Sequence, residues 1–153
     1  MKKELLNSDK ELLLKDLCAR LPYGVMCATT DNDGSLPNIW EIVKSDMLNE
    51  DFFLIHDLYE ASRTVDVKEV RPYLFPLSSM TEEQVYYIYE HYTDTSVYEF
   101  DEFYKKVLRG KDDINILFTS CSFLIDYLNK NHFDYRGLIE KGLSIDCTNL
   151  DIY

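Results

Sequence analysis

The chain has 153 residues, 46% hydrophobic and 29% charged, the make-up of one globular domain that buries roughly 70% of its unfolded surface, not of a disordered or fibrous chain. Its 16 basic and 28 acidic residues leave a net charge of −12, which opposes attraction to phosphate backbones or anionic lipid, so direct nucleic-acid and membrane-surface binding are disfavoured. No run approaches about 18 apolar residues, and after Met1-Lys2-Lys3 charge returns too soon for an export signal; a cytoplasmic protein is expected.

Ser8-Asp9-Lys10-Glu11 fits a capping box, and Leu13, Leu14, Leu17, Cys18 and Leu21 follow at helical spacing, predicting a helix over 8–20. Pro22 and Gly24 stop it. Tyr23 to Thr30 and Ile39 to Val43 read as strands around the turn formers Asp31-Asn32-Asp33-Gly34, a β-hairpin. Phe52 to Ile55 and Thr64 to Val67 extend this to an antiparallel meander of three or four strands. Arg71-Pro72-Tyr73-Leu74-Phe75-Pro76-Leu77 carries two prolines, which argues for an extended connector and against a central strand.

Ser79-Met80-Thr81-Glu82 is a second capping box, and Val85, Ile88, Tyr89 and Tyr92 predict a helix at about 81–92. Ser96-Val97-Tyr98-Glu99 repeats the signature before an amphipathic helix with Phe100, Phe103, Tyr104, Val107 and Leu108, ended by Gly110. A third helix is expected from about Asp112 to Asn131, its wide apolar face (Ile114, Leu117, Phe118, Cys121, Leu124, Ile125, Leu128) suiting the centre of a small bundle. A short helix at about 135–141, closed by Gly142, would precede an edge strand at Leu143-Ser144-Ile145-Asp146, with the stretch to Tyr153 loose. The predicted fold class is α+β: an N-terminal helix, a small antiparallel β-meander of 3–4 strands, then a C-terminal bundle of three to four helices. One domain is expected over 1–153, with its β-containing part at about 1–76 and its helical part at about 77–153.

Motifs for chemistry are missing. His56, His91 and His132 have no second His or Cys at ligand spacing, and no metal site is expected. Asp31 to Ser35 resembles the start of a calcium loop, but the twelfth position, where a bidentate Glu is required, is Ile42. Five glycines and no phosphate-binding glycine motif leave little material for a phosphate cradle and no support for nucleotide hydrolysis. Cys18, Cys27, Cys121 and Cys147 are scattered and read as reduced and mostly buried. Cys121, with Ser120 and Ser122 beside it, falls on an apolar helix face, and Asp112-Asp113 and Glu82-Glu83 sit at helix starts, where the helix dipole accounts for them. No catalytic residue and no cofactor are assigned.

One stretch stands apart. Residues 82–102 hold Glu82, Glu83, Glu90, Asp94, Glu99, Asp101 and Glu102 with no Lys or Arg, interleaved with Tyr86, Tyr87, Tyr89, Tyr92 and Tyr98. Carboxylates beside rings over two helices would suit a basic protein partner, or imitate nucleic-acid phosphates to a DNA-binding enzyme.

Three blocks carry a resemblance: Asp16-Leu17-Cys18-Ala19-Arg20-Leu21-Pro22-Tyr23-Gly24-Val25, Arg71 to Thr81, and Asn131 to Leu143. Together they resemble a group of small uncharacterised proteins of gut Bacteroidales bacteria and their phages or integrated elements. The resemblance implies a bacterial or phage cytoplasmic setting and carries over no activity. If the blocks converge, Arg20, Tyr23, Arg71, Tyr73, His132, Asp134, Tyr135 and Arg136 would form a polar and aromatic cluster. That cluster is the alternative candidate site, for a small enzyme or ligand-binding domain using His132 and Arg136.

Overall fold

In a computed structural model, residues 6–29, 39–45, 52–56, 62–92, 99–109 and 122–153 are described. They form helices α1 (Asn7–Arg20), α2 (Glu82–Tyr92), α3 (Phe100–Arg109) and α4 (Ser122–Lys130). The strands are β1 (Met26–Thr29), β2 (Ile39–Ser45), β3 (Phe52–His56), β4 (Ser62–Asp66), β5 (Val70–Pro76), β6 (Phe133–Asp134) and β7 (Ile145–Asp146). The chain divides into two compact units, Met1–Leu74 with Leu138–Tyr153, and Phe75–Gly137. The class is α+β.

In the first unit, α1 begins at Leu6, whose carbonyl accepts the amides of Asp9 and Lys10 at 3.0 Å each. No side chain caps the helix, so Ser8 lies within its first turn and the expected capping box does not form. Leu13 and Leu17 face the core, fully buried, and Cys18, one step round the helix, is exposed. Gly24 then turns the chain in the left-handed region (φ 70°), where an added Cβ would come within 3.3 Å of the Glu41 carboxylate.

The strands of this unit lie in the order β4-β3-β2-β1-β5, all antiparallel, with β7 parallel to β5 through Tyr73↔Ile145. Cross-strand partners share a face, so Cys27↔Trp40 and Ile42↔Ile55 build one buried surface, joined by Phe53, Val65, Val70 and Leu74 and covered by Leu13 and Leu17. A bulge between Ile42 and Lys44 makes Val43 the extra residue and leaves it 42% exposed. On β4, Arg63 turns inward: its guanidinium lies 4.9 Å over the Trp40 ring and donates to Thr29 Oγ1 at 2.6 Å. An inward charge of this kind blunts an outer strand against pairing with another chain.

The expected connector over Arg71 to Leu77 is instead a central strand, because its prolines fall where they do no harm. Leu74 turns its carbonyl toward the amide of Cys147, and alternation gives Pro72 the same orientation. The missing N–H of Pro72 therefore faces away from β1, beyond the two residues of β7. The edge strand expected at Leu143–Asp146 is present as β7, and with β5 and the unexpected two-residue β6 the described residues hold seven strands, where a meander of three or four was expected. The expected helix at 135–141 is only a set of turns. Gly142 (φ 71°) still closes it, its amide donating to Ile139 and that of Leu143 to Leu138, with Leu138 and Leu143 buried together. The stretch to Tyr153, expected to be loose, is anchored by hydrogen bonds.

In the second unit, the last two residues of β5 pair in parallel with β6 (Phe75↔Phe133, Pro76↔Asp134). The cap of α2 lies two residues beyond the expected one: Thr81 N–H donates to Gln84 Oε1 at 2.9 Å and Gln84 N–H to Thr81 Oγ1 at 3.3 Å, while Ser79 bonds the Pro76 carbonyl. Leu77, Met80, Val85, Ile88, Phe103, Leu124, Leu128 and Phe133 form the core. Three helices belong to this unit among the described residues. The turn at 31–34, the signature at 96–98, Gly110, and 112–121 with Cys121 lie outside them.

Candidate functional site

Val85 and Ile88 fix how α2 sits. With those two buried, Glu82, Glu83, Tyr86, Tyr87, Glu90 and His91 are left exposed. On α3, Phe103 is buried while Asp101 and Glu102 are exposed, as is Glu99 just before the helix. Six of the seven candidate carboxylates are thus exposed; Asp94, like Tyr98, lies outside the described residues. Glu82 and Glu83 in the first turn of α2, and Asp101 and Glu102 in that of α3, also favour the positive helix ends.

The rings between them are held in fixed contacts. Tyr86, 47% exposed, meets Phe100 edge-on at 5.2 Å, and Tyr89 meets Phe100 and Phe103 at 5.4 and 5.6 Å, tying α2 to α3. Tyr87, 41% exposed, stacks on His91 at 4.2 Å and on Tyr127 of α4 at 5.3 Å. A hydrogen bond from the Tyr86 hydroxyl to Glu90, reinforced by that carboxylate's charge, raises the phenol above its usual range. Thr81, Glu82, Glu83 and Tyr86 line an open hollow of about 660 Å³ at the start of α2. Carboxylates and ring faces together suit a guanidinium or ammonium group.

The residues of the alternative cluster fall four to each unit. In the first, Arg20 is fully buried against Asp16, and Tyr23 is half-buried in the turn after α1. Arg71 donates to the Lys68 and Val70 carbonyls at 3.0 and 2.8 Å, and burial lowers its guanidinium pKa. Tyr73 is buried, which pushes its phenol up.

In the second unit the four are consecutive or nearly so. His132 is 7% exposed and has φ 58°, the one non-glycine residue with positive φ among those described. Its amide donates to the Asn129 carbonyl and its own carbonyl accepts from Phe75, so it ends α4 as a glycine would. Asp134 is buried and accepts the Arg136 amide at 3.3 Å; Arg136 Nη2 donates to Tyr135 Oη at 2.6 Å, and its guanidinium lies 4.8 Å over the same ring.

Cys27 and Cys147 are buried as expected, whereas Cys18 is exposed. Among the described residues no group of three His, Cys, Asp or Glu is placed to hold a metal, and no helix is long and apolar enough to cross a membrane. Two partners escaped the sequence reading. Asp16 had a signal, its i,i+4 spacing to Arg20; Tyr153 had none. No family model, curated protein or solved structure matches the chain.

Proposed function

We propose that the chain is a non-enzymatic protein-interaction protein of a bacterium or its mobile elements, and that the acidic, ring-bearing face of α2 and α3 receives a basic partner. The observation that carries this reading is the exposure of Glu82, Glu83, Glu90, Glu99, Asp101 and Glu102 around the half-exposed Tyr86, packed on Phe100, and Tyr87, packed on Tyr127. In its sharper form the face imitates nucleic-acid phosphates to a DNA-binding protein. Affinity purification of the full chain from its host, followed by titration of the recovered partner, tests both forms. Binding should weaken as salt rises from about 0.05 to about 0.5 M. Glu99→Lys with Asp101→Lys should weaken it by on the order of tenfold or more at the lower salt. Failure to recover a reproducible partner, or binding indifferent to salt, overturns the reading.

A second reading, a small enzyme or ligand-binding domain, is supported by the buried Asp134 that accepts the Arg136 amide and by the buried His132, whose left-handed backbone is uncommon for any residue but glycine. Ligand-observed NMR with inorganic phosphate and small carboxylates should then detect binding that Arg136→Gln abolishes. Silence from every probe removes it.

A further inference from the structure

The register of β1 on β5 runs Thr29↔Val70, Ala28↔Arg71, Cys27↔Pro72, and its next rung would set Met26 opposite Tyr73. A tyrosine hydroxyl takes that place. The Met26 amide donates to Tyr153 Oη at 3.2 Å, and Tyr153 Oη donates to the Tyr73 carbonyl at 2.8 Å. The opening between the two backbone groups requires one atom that accepts and donates at once. A hydroxyl does both, whereas a carboxylate only accepts and an ammonium only donates.

The segment that delivers this hydroxyl is lightly fastened. Cys147 is buried, and its amide donates to the Leu74 carbonyl at 3.0 Å. Beyond it Thr148 bonds Asp146 Oδ1 through its amide and hydroxyl, and the Leu150 amide returns to the Cys147 carbonyl at 2.9 Å. Thr148, Asn149, Leu150 and Asp151 are exposed, and Ile152 is half-buried. Tyr153 is 46% exposed but has its hydroxyl end buried; between it and Cys147 the stretch buries little apolar surface, and such a stretch opens at a lower free energy than the paired strands.

We propose that residues 148–153 are a detachable latch, with the Tyr153 hydroxyl filling a hydroxyl-binding slot between Met26 of β1 and Tyr73 of β5. When the latch lifts, the Met26 amide and the Tyr73 carbonyl lose this shared partner and meet water. This inference concerns the first unit and stands apart from the acidic face.

Native-state hydrogen exchange on the full chain, read by NMR, tests it. In the unaltered chain the Met26 and Leu150 amides should exchange through one shared opening that low denaturant does not accelerate. They should be about a hundredfold less protected than the Ile42 amide, which bonds Val25 in the core sheet. Tyr153→Phe, which keeps the ring and removes the hydroxyl, should reduce the protection of both by about a further tenfold and leave Ile42 unchanged. Exchange of Met26 in step with Ile42, or unaltered protection in Tyr153→Phe, overturns the proposal. The first outcome needs no variant at all.

Discussion

Arg20 grips Asp16 one turn back on α1 with two parallel bonds, Nε to Oδ2 at 2.8 Å and Nη2 to Oδ1 at 3.1 Å, both side chains being fully out of water. Placing two charges in a core is expensive, and only close, bidentate geometry offsets it. Losing one partner is far worse than losing both. Arg20→Met should therefore lower the unfolding free energy by about 3–5 kcal/mol, because it removes the bidentate cation from the buried Asp16 carboxylate. Asp16→Leu with Arg20→Met should recover most of that loss. Urea denaturation of the two singles and the double decides the matter, and additive effects would deny the coupling.

His132 has the backbone of a glycine. At φ 58° its Cβ crowds the following carbonyl, a strain of about 1 kcal/mol or more that closing α4 has to bear. Comparing two truncations isolates it. His132→Ala and His132→Gly both delete the imidazole, yet only glycine relaxes the backbone. The glycine variant should be the more stable by about 1 kcal/mol in chemical denaturation. An alanine variant of equal or greater stability would mean that the backbone stores no strain there.

What could be read in the sequence was whatever repeats. The 3.6-residue periodicity of Leu13 and Leu17, and of Val85 and Ile88, located α1 and α2 closely, and apolar runs located β2 and β3. Single-residue signals were weaker. Ser8 and Ser79 fit capping boxes as well as Thr81 does, but Leu6 and the turn at Leu77–Ser79 fix where those helices begin, and Thr81 and Gln84 form the cap. The prolines of β5 misled for a related reason. Whether a proline breaks a strand depends on the side its N–H would face, which only the pairing of β1 and β7 decides. Exposure of the acidic residues followed from helical phase and was legible. The capture of Arg20 by Asp16 was open to the same reasoning, whereas the reach of Tyr153 back to Tyr73, 80 positions away, was not.

Alkaline titration probes the buried acids of the first unit. Burial in the sheet raises the Cys27 thiol from its ordinary 9.0 to about 12, against the opposing pull of Arg63, and chiefly burial raises Cys147 to about 11. Burial likewise raises the phenols of Tyr73 and Tyr153. For each of these groups the folded chain holds its proton more tightly than the unfolded chain does. Their stabilisation is therefore complete below the unfolded pKa and is lost as pH rises toward the folded one. For Cys27 that window runs from 9.0 to about 12, within which the unfolding free energy should fall by roughly 1 kcal/mol per pH unit from this group alone. Cys27→Ala should flatten the decline, whatever it does to stability at neutral pH. Urea midpoints taken at intervals from pH 8 to pH 11 give the slope, and an unchanged slope in the variant would mean that the Cys27 thiol is not held neutral by the fold. Tyr153 adds a further loss at the high end, since a phenolate still accepts from Met26 but no longer donates to the Tyr73 carbonyl.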